Sequence, residues 1–159
     1  MANAEHVRIV RAGKDAIAEI KEAHPRIHLD LRNADLGRLY LRRADLSLAD
    51  LSYADLSRSD LTEAKLIRAV MQGAKLNLTN LSCARLASAN LQDAGLCWAD
   101  LVGAHLAGAN LANARLNGAF LVRANLQGAE LAGATLSMLT SERRSWLMLI
   151  YLLSMDWMR

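Results

Sequence analysis

Residues 44–61 read ADLSLADLSYADLSRSDL, with a leucine at every fifth place: Leu46, Leu51, Leu56 and Leu61. Neither common secondary-structure period accounts for that spacing. Five steps along an α-helix advance a side chain by roughly 500°, about 140° net, which would smear the leucines around the axis. Five steps along a strand are an odd number, so successive leucines would point to opposite faces. The spacing suits a chain that makes about a right-angle turn every five residues. Four such segments close a square, and each coil of 20 residues then stacks on the next.

The pattern runs far beyond this stretch. Leucine holds every fifth position from Leu31 to Leu136, with Met71 the one exception among 22 positions. Alanine stands two residues before each, except at Leu29, Leu39, Ser59 and Thr79. No residue is inserted or deleted between Leu29 and Met138. Such strict self-similarity marks a repeat architecture.

The A-[DN]-L-x-x pattern of these residues resembles the pentapeptide-repeat protein family, over about 110 of the 159 residues. The resemblance implies an all-β solenoid, a right-handed quadrilateral β-helix. Its four repeats per coil give about 5.5 coils here, and a rod about 26 Å long at a strand spacing of roughly 4.8 Å. With the central leucine called position i, residues i and i−2 point inward and i−1, i+1 and i+2 outward. Leucine fills the interior, and alanine sits where there is room for little more. The small polar residues at i−1 and i+1, such as Asp45, Ser47, Asp50 and Ser52, suit turns because they bond nearby backbone groups.

Three segments follow: an N-terminal helical cap over 1–28, the β-helix over 29–138, and a C-terminal helix over 139–159. Both ends of a coil stack need covering. Residues 14–24, KDAIAEIKEAH, place Ala16, Ile17, Ile20 and Ala23 on one helical face. Gly13 allows a turn before that helix and Pro25 stops it. The run before the first coil also resembles a family lead-in, a short apolar stretch followed by a helix. At the other end, Trp146 to Leu153 is apolar nearly all round, so a helix there is expected to be buried on more than one side. Trp146, Leu149, Ile150, Leu153 and Trp157 are its candidate contact residues. Three uses stand for it: homodimerisation, a fold-back onto its own rod, or membrane contact, the last disfavoured because the run is too short to span a bilayer.

Residues 20 apart stack, which turns the outward letters into columns. One column reads Asp35, Asp55, Lys75, Gly95, Arg115, another Arg38, Arg58, Leu78, Trp98, Gly118. Asp35 over Asp55 is a mildly unfavourable like-charge pair, with Arg38 and Arg58 expected to offset it. Arg38, Arg42, Arg43, Arg58 and Arg68 form a candidate charged face in the first half. Trp98, Val102, Phe120 and Val122 form a candidate apolar interface in the second, either a partner site or the seat of the C-terminal segment.

Nothing in the chain points to catalysis. His6, His24, His28 and His105 are scattered, no serine has a histidine and acid partner, and no phosphate-binding loop or metal-ligand spacing occurs. No cofactor is expected. The absence of an apolar leader and the two unpaired-looking cysteines, Cys83 and Cys97, lead to an expectation of a cytoplasmic protein. The function expected is a non-catalytic protein-protein interaction or scaffold module, its partner unspecified. The alternative, implied by the resemblance, is a DNA mimic that binds DNA gyrase and confers quinolone resistance. Such mimics are markedly acidic, whereas residues 29–138 carry 11 Lys and Arg against 10 Asp and Glu. Gyrase is therefore not the expected partner, and the mixed surface does not favour direct nucleic-acid binding either.

Overall fold

The computed structural model describes residues 2–137, and in it the chain turns every five residues from Asn33 to Gly133. At each turn but the one ending at Leu39, the carbonyl of the central leucine (or Met71) accepts the N–H three residues on, as in Ala34 to Leu31 at 3.0 Å and Ala134 to Leu131 at 3.0 Å. The third turn residue always has φ between +56° and +71°. A left-handed residue at that place, after one with ordinary φ, is the signature of a type II turn.

Between turns, each side of the square is only three residues wide and carries a single bridge at position i−1. Every bridge is parallel and joins residues 20 apart, from Asp30↔Asp50 to Arg115↔Thr135. Three backbone bonds tie each pentad to the coil below or above, for example Leu31 N–H to Asp50 at 2.8 Å, Asn33 N–H to Ser52 at 2.9 Å and Asp50 N–H to Leu29 at 2.9 Å. The chain is therefore a solenoid of stacked square coils, as the spacing predicts. The central leucines from Leu31 to Leu116, and Met71, are all but completely buried, as are the alanines from Ala44 to Ala119.

The exceptions in the alanine column have a polar remedy. Leu39 is too large for its place and sits half-buried, and its turn bond is missing. The hydroxyl of Ser59, one coil on, fills the gap: it accepts from the Leu39 N–H at 3.2 Å and donates to the Leu36 carbonyl at 2.7 Å. Thr79, next in the column, donates to the Leu56 carbonyl at 2.8 Å. Both hydroxyls are buried and satisfied.

The N-terminal cap differs from the single helix expected over 14–24. It holds two: α1 over Ala4–Ala12 and α2 over Lys14–Ala23. The apolar stretch before Gly13 is itself helical. Asn3 caps it by accepting from the N–H groups of Glu5 and His6, and Glu5 pairs with Arg8 along its first turn. Gly13, at φ +101°, makes the break. The helices do for the first coil what a preceding coil would do. His6 Nδ1 accepts the Asp30 N–H at 2.9 Å, the Asn3 N–H reaches the Asp30 carbonyl at 3.1 Å, and Arg11 donates to the Asp35 carbonyl at 2.8 Å. Lys21 adds bonds to the Asp45 carboxylate and the Ser47 carbonyl. Val10 and Ile17 close the interior beneath them.

At the other end Leu121, Leu131 and Leu136 are only partly buried, where their counterparts above are sealed. For the N–H groups of Leu121, Leu126 and Leu131 no acceptor occurs among the described residues. The predicted C-terminal helix, with Trp146, Leu149, Ile150, Leu153 and Trp157, likewise lies outside them. No helix among the described residues is long and apolar enough to cross a membrane.

Leu96→Ala is expected to cost about 2–5 kcal/mol from the lost contacts and cavity. Ala94→Leu is expected to cost about 1–3 kcal/mol by overpacking the same layer. Thermal or urea melts measure both, and unchanged melting of both variants would contradict the packing described here.

Candidate interaction face

The four sides of the rod are not equivalent. The third side, centred on Tyr40, is read as three parallel columns, because the turn residues on either edge face the same way. The leading column is Arg38, Arg58, Leu78, Trp98, Gly118. The central one is Tyr40, Asp60, Asn80, Asp100, Phe120. The trailing one is Arg42, Thr62, Ser82, Val102, Val122. The first rows are thus arginine and tyrosine, the middle rows polar with Leu78 at the edge, and the last rows aromatic and aliphatic. Of the eight large apolar side chains exposed in the described residues, five lie here: Tyr40, Leu78, Trp98, Phe120 and Val122. The other three, Leu48, Tyr53 and Val70, are dispersed over other columns.

Two groups that the sequence suggests separately therefore share one surface. The apolar set Trp98, Val102, Phe120 and Val122 is brought together on it. So are Arg38, Arg42 and Arg58, with Arg43 just round the trailing corner. Arg68 does not join them: it stands in the column of Leu48 and Ser88, at the corner diagonally opposite Arg38 and Arg58 and one beyond that of Arg42 and Arg43. The expected charged face is corrected accordingly, since grouping by half of the chain ignores which side a residue occupies. Tyr40, the most open of the exposed apolar side chains, was missed by sequence reasoning. Its signal was available, as it holds the place where aspartate prevails in the first coil.

Arg42 and Arg43 are not free cations. Both bind Glu63, at 2.8 and 2.7 Å, from the coil above it. Arg43 first and Arg42 second hold the Glu63 carboxyl below its ordinary value. Arg38 and Arg58 have no carboxylate partner among the described residues, and Asp60 and Asp100 in the central column have no cationic one, which leaves these four as the unpaired charges of the face.

Trp98 is 46% exposed, yet its position is fixed. The indole lies over Gly118 in the next coil, so that a Cβ built on that glycine would sit 2.6 Å from ring carbons. Gly118 is buried by the ring. Tyr53 covers Gly73 in the same way on another corner. A rigid, half-open aromatic is well suited to anchoring a partner.

Many polar groups on all four sides are met within the rod, although Arg68, Arg85, Arg115 and Arg123 have no carboxylate partner among the described residues. Eleven Asp and Asn side chains at i−1, among them Asp45, Asp50, Asp60, Asp100 and Asn110, accept the N–H two residues on. Where Gly95 leaves that position empty, Asn77 from the coil above serves the Cys97 N–H instead, at 3.0 Å. The relief expected for Asp35 over Asp55 comes from a different residue: Lys75 stands 4.0 Å below Asp55 in the same column, and neither Arg38 nor Arg58 pairs there. Lys65 likewise meets Asp45 at 3.6 Å, and Arg32 bridges Asp30 and Asp50. The Ser57 N–H holds the Asp55 carboxyl low, and the Arg32 guanidinium draws that of Asp30 down to about 2. Burial opposes ionisation of Asp45, but its bonds from Lys21 and Ser47 outweigh it and the group is lowered. An open apolar groove of about 740 Å³ lies between the two cap helices, floored by Ile9, Ile20, Ala23 and Ile27, away from the third side.

The chain belongs to the pentapeptide-repeat family. The family's profile, Pentapeptide repeats, matches in eight copies over residues 28–62, 44–82, 79–116 and 104–137. Among solved structures it is similar to Rfr23, a pentapeptide repeat protein from the cyanobacterium Cyanothece 51142, at 39% identity over 61% of this chain, with a TM-score of 0.52. The match spans 63% of that protein's length. It is also similar to a pentapeptide repeat protein of the Arabidopsis thaliana thylakoid lumen, at 25% identity over 74% of this chain and 76% of that one, TM-score 0.51. QnrB1, a plasmid-mediated fluoroquinolone resistance protein, matches at 19% identity over 76% and 73% of the two chains, with a TM-score of 0.32. No curated protein sequence matches the chain.

Gly118→Ala is expected to cost about 1–3 kcal/mol, through the clash with the indole and the left-handed backbone. In a Trp98→Ala background the cost should shrink, because only the backbone term remains; equal costs in both backgrounds, by urea melts, would disprove the contact. Because Asp30, Asp45, Asp55 and Glu63 are more acidic in the fold than in the unfolded chain, they contribute stability above the ordinary values of 3.8 and 4.5. The melting temperature should fall as pH drops from about 4.5 towards about 2, and Asp30→Asn with Glu63→Gln should flatten that profile.

Proposed function

We propose that this protein is a non-catalytic protein-protein interaction module that presents the third side of its rod to a protein partner. The observation that carries the reading is the gathering of Tyr40, Trp98, Phe120, Val122 and of Arg38 and Arg58, which lack carboxylate partners among the described residues, on one rigid surface. Tyrosine, tryptophan and arginine are the residues that most often dominate binding energy at interfaces. The rod itself is read as the family's right-handed quadrilateral helix of about 5.5 coils, which leaves outward residues free to vary while the interior stays constant. The free thiols of Cys83 and Cys97 fit a reducing, cytoplasmic setting.

The DNA-mimic alternative is less well supported. A gyrase-binding mimic needs an acidic exterior, and here the aspartates of the early coils are answered within the rod by Arg32, Lys65 and Lys75. With 11 basic and 10 acidic residues over 29–138, the repeat region has no acidic field to offer.

The test is a pull-down from the native host with wild-type protein, a Phe120→Asp/Val122→Asp variant and a Tyr53→Ser/Val70→Ser control on other columns. A partner retained by the control and lost by the third-side variant is the expected result. Equal recovery by all three would move the interaction off this side.

A further inference from the structure

A two-fold axis laid across the third side brings two copies of that side face to face with their rods antiparallel. Leading column then meets leading column and the rows reverse, so that the third row, Leu78, Asn80 and Ser82, lies on the axis and meets itself. The other rows meet in pairs, first on fifth and second on fourth. Arg58 comes over Trp98, a cation on an aromatic face. Tyr40 comes over Phe120, an aromatic pair. Because the Trp98 indole lies over Gly118, it fills the fourth and fifth leading places together, and Arg38 meets it as well. At the trailing edge the stem of Arg42, whose head Glu63 holds, comes over Val122.

The charges follow the same symmetry. Arg38, Arg58, Asp60 and Asp100 are the charges of the face without an ion-pair partner among the described residues, two of each sign. Two copies therefore close as a neutral set. The adverse opposition is Asp60 over Asp100. Each of these carboxylates already accepts its own turn N–H, from Thr62 and Val102 at 2.9 Å, and Arg58 stands beside Asp60 and diagonal to the facing Asp100. Parallel rods fare worse, since they set Arg38 over Arg42 and lay Asp60 and Asp100 each on its own copy. Like charges at an interface select against that arrangement.

We infer that the third side binds the third side of a second copy of this chain, antiparallel, with Leu78 and Asn80 at the two-fold axis. The inference rests on the interaction reading above and names its partner. A contact of this kind requires a self-complementary patch, and the row order supplies one. The face offers fifteen residues a side, against roughly 20–30 in a standard interface, so the dimer is a reversible one with a dissociation constant of about 10 μM.

Light scattering of the full chain should give a dimer at about 200 μM and a monomer at about 1 μM, on either side of that constant. Phe120→Asp with Val122→Asp should abolish the dimer with the rod's melting intact. Arg58→Glu should weaken it roughly tenfold, and Asp100→Lys in the same chain should recover most of the loss by restoring the charge balance. Orientation is read by cross-linking in a Cys83→Ser/Cys97→Ser background. Facing sheets sit about 10 Å apart, too far for a disulfide, so a bis-maleimide serves. Chains carrying Arg42→Cys and chains carrying Val122→Cys should link when mixed and not singly. In the antiparallel pair residues 42 and 122 face each other, while residue 42 stands four coils, about 19 Å at roughly 4.8 Å per coil, from its own copy. A monomer at about 200 μM overturns the pairing. So does a dimer that the Phe120/Val122 variant leaves intact, or Arg42→Cys linking to itself, which would make the rods parallel. If the chain is monomeric, loss of a pulled-down partner by the Phe120/Val122 variant still upholds the interaction reading, and equal recovery removes both.

Discussion

Once in every five residues the backbone must adopt φ near +60°, a conformation that costs a residue with a side chain roughly 1–2 kcal/mol. Fifteen of these places are held by residues other than glycine, Leu48, Tyr53 and Trp98 among them. Their neighbours over-determine the geometry. Each such residue from Asn33 to Asn113 donates its N–H to the coil below, and the leucine two places before it is locked into the interior. One slipped residue would rotate every later leucine out of the core and break three backbone bonds per pentad. That constraint explains why the repeat runs without insertion or deletion, and why the sides stay narrow and regular enough to carry flat surfaces.

The same constraint divides the letters of the sequence into two alphabets. The leucine and alanine places were legible without any structure, because a five-residue period is incompatible with helix or strand and its solution is almost forced. Partners 20 apart were also within reach of arithmetic, as in Lys75 beneath Asp55 and Glu63 beneath Arg43. The two-helix cap was harder. Nine residues with only a moderate apolar face gave α1 little signal beyond Asn3 and Glu5, and its purpose, offering His6 and Arg11 to the first coil, depends on contacts across more than twenty residues.

The candidate face was half legible. Its apolar and arginine residues were recognisable one by one, but reading them by position along the chain separated what the coil brings together and admitted Arg68, which the coil sends elsewhere. Tyr40 escaped notice because it interrupts only once the run of aspartates that precede the central leucines from Asp30 to Asp60. The covering of Gly118 by Trp98 could not be read at all, since it depends on which way a ring turns, and nothing in a column of letters states a rotamer. Turn bonds and short ion pairs occur on every side, so what leaves the third side distinct is its share of the exposed aromatic and aliphatic residues.

Trp98 and Gly118 also carry a lesson for anyone wishing to rewrite the exterior of such a rod. A bulky ring at the left-handed corner needs a bare backbone one storey below it, as Tyr53 does with Gly73. Moving an aromatic to another corner is therefore a two-letter edit, ring and glycine transplanted together at a fixed offset. A ring grafted alone would be lifted off the wall by the side chain beneath it, exchanging a rigid anchor for a swinging one. In a panel of re-surfaced variants, such pairs and not single aromatics should be the unit of exchange.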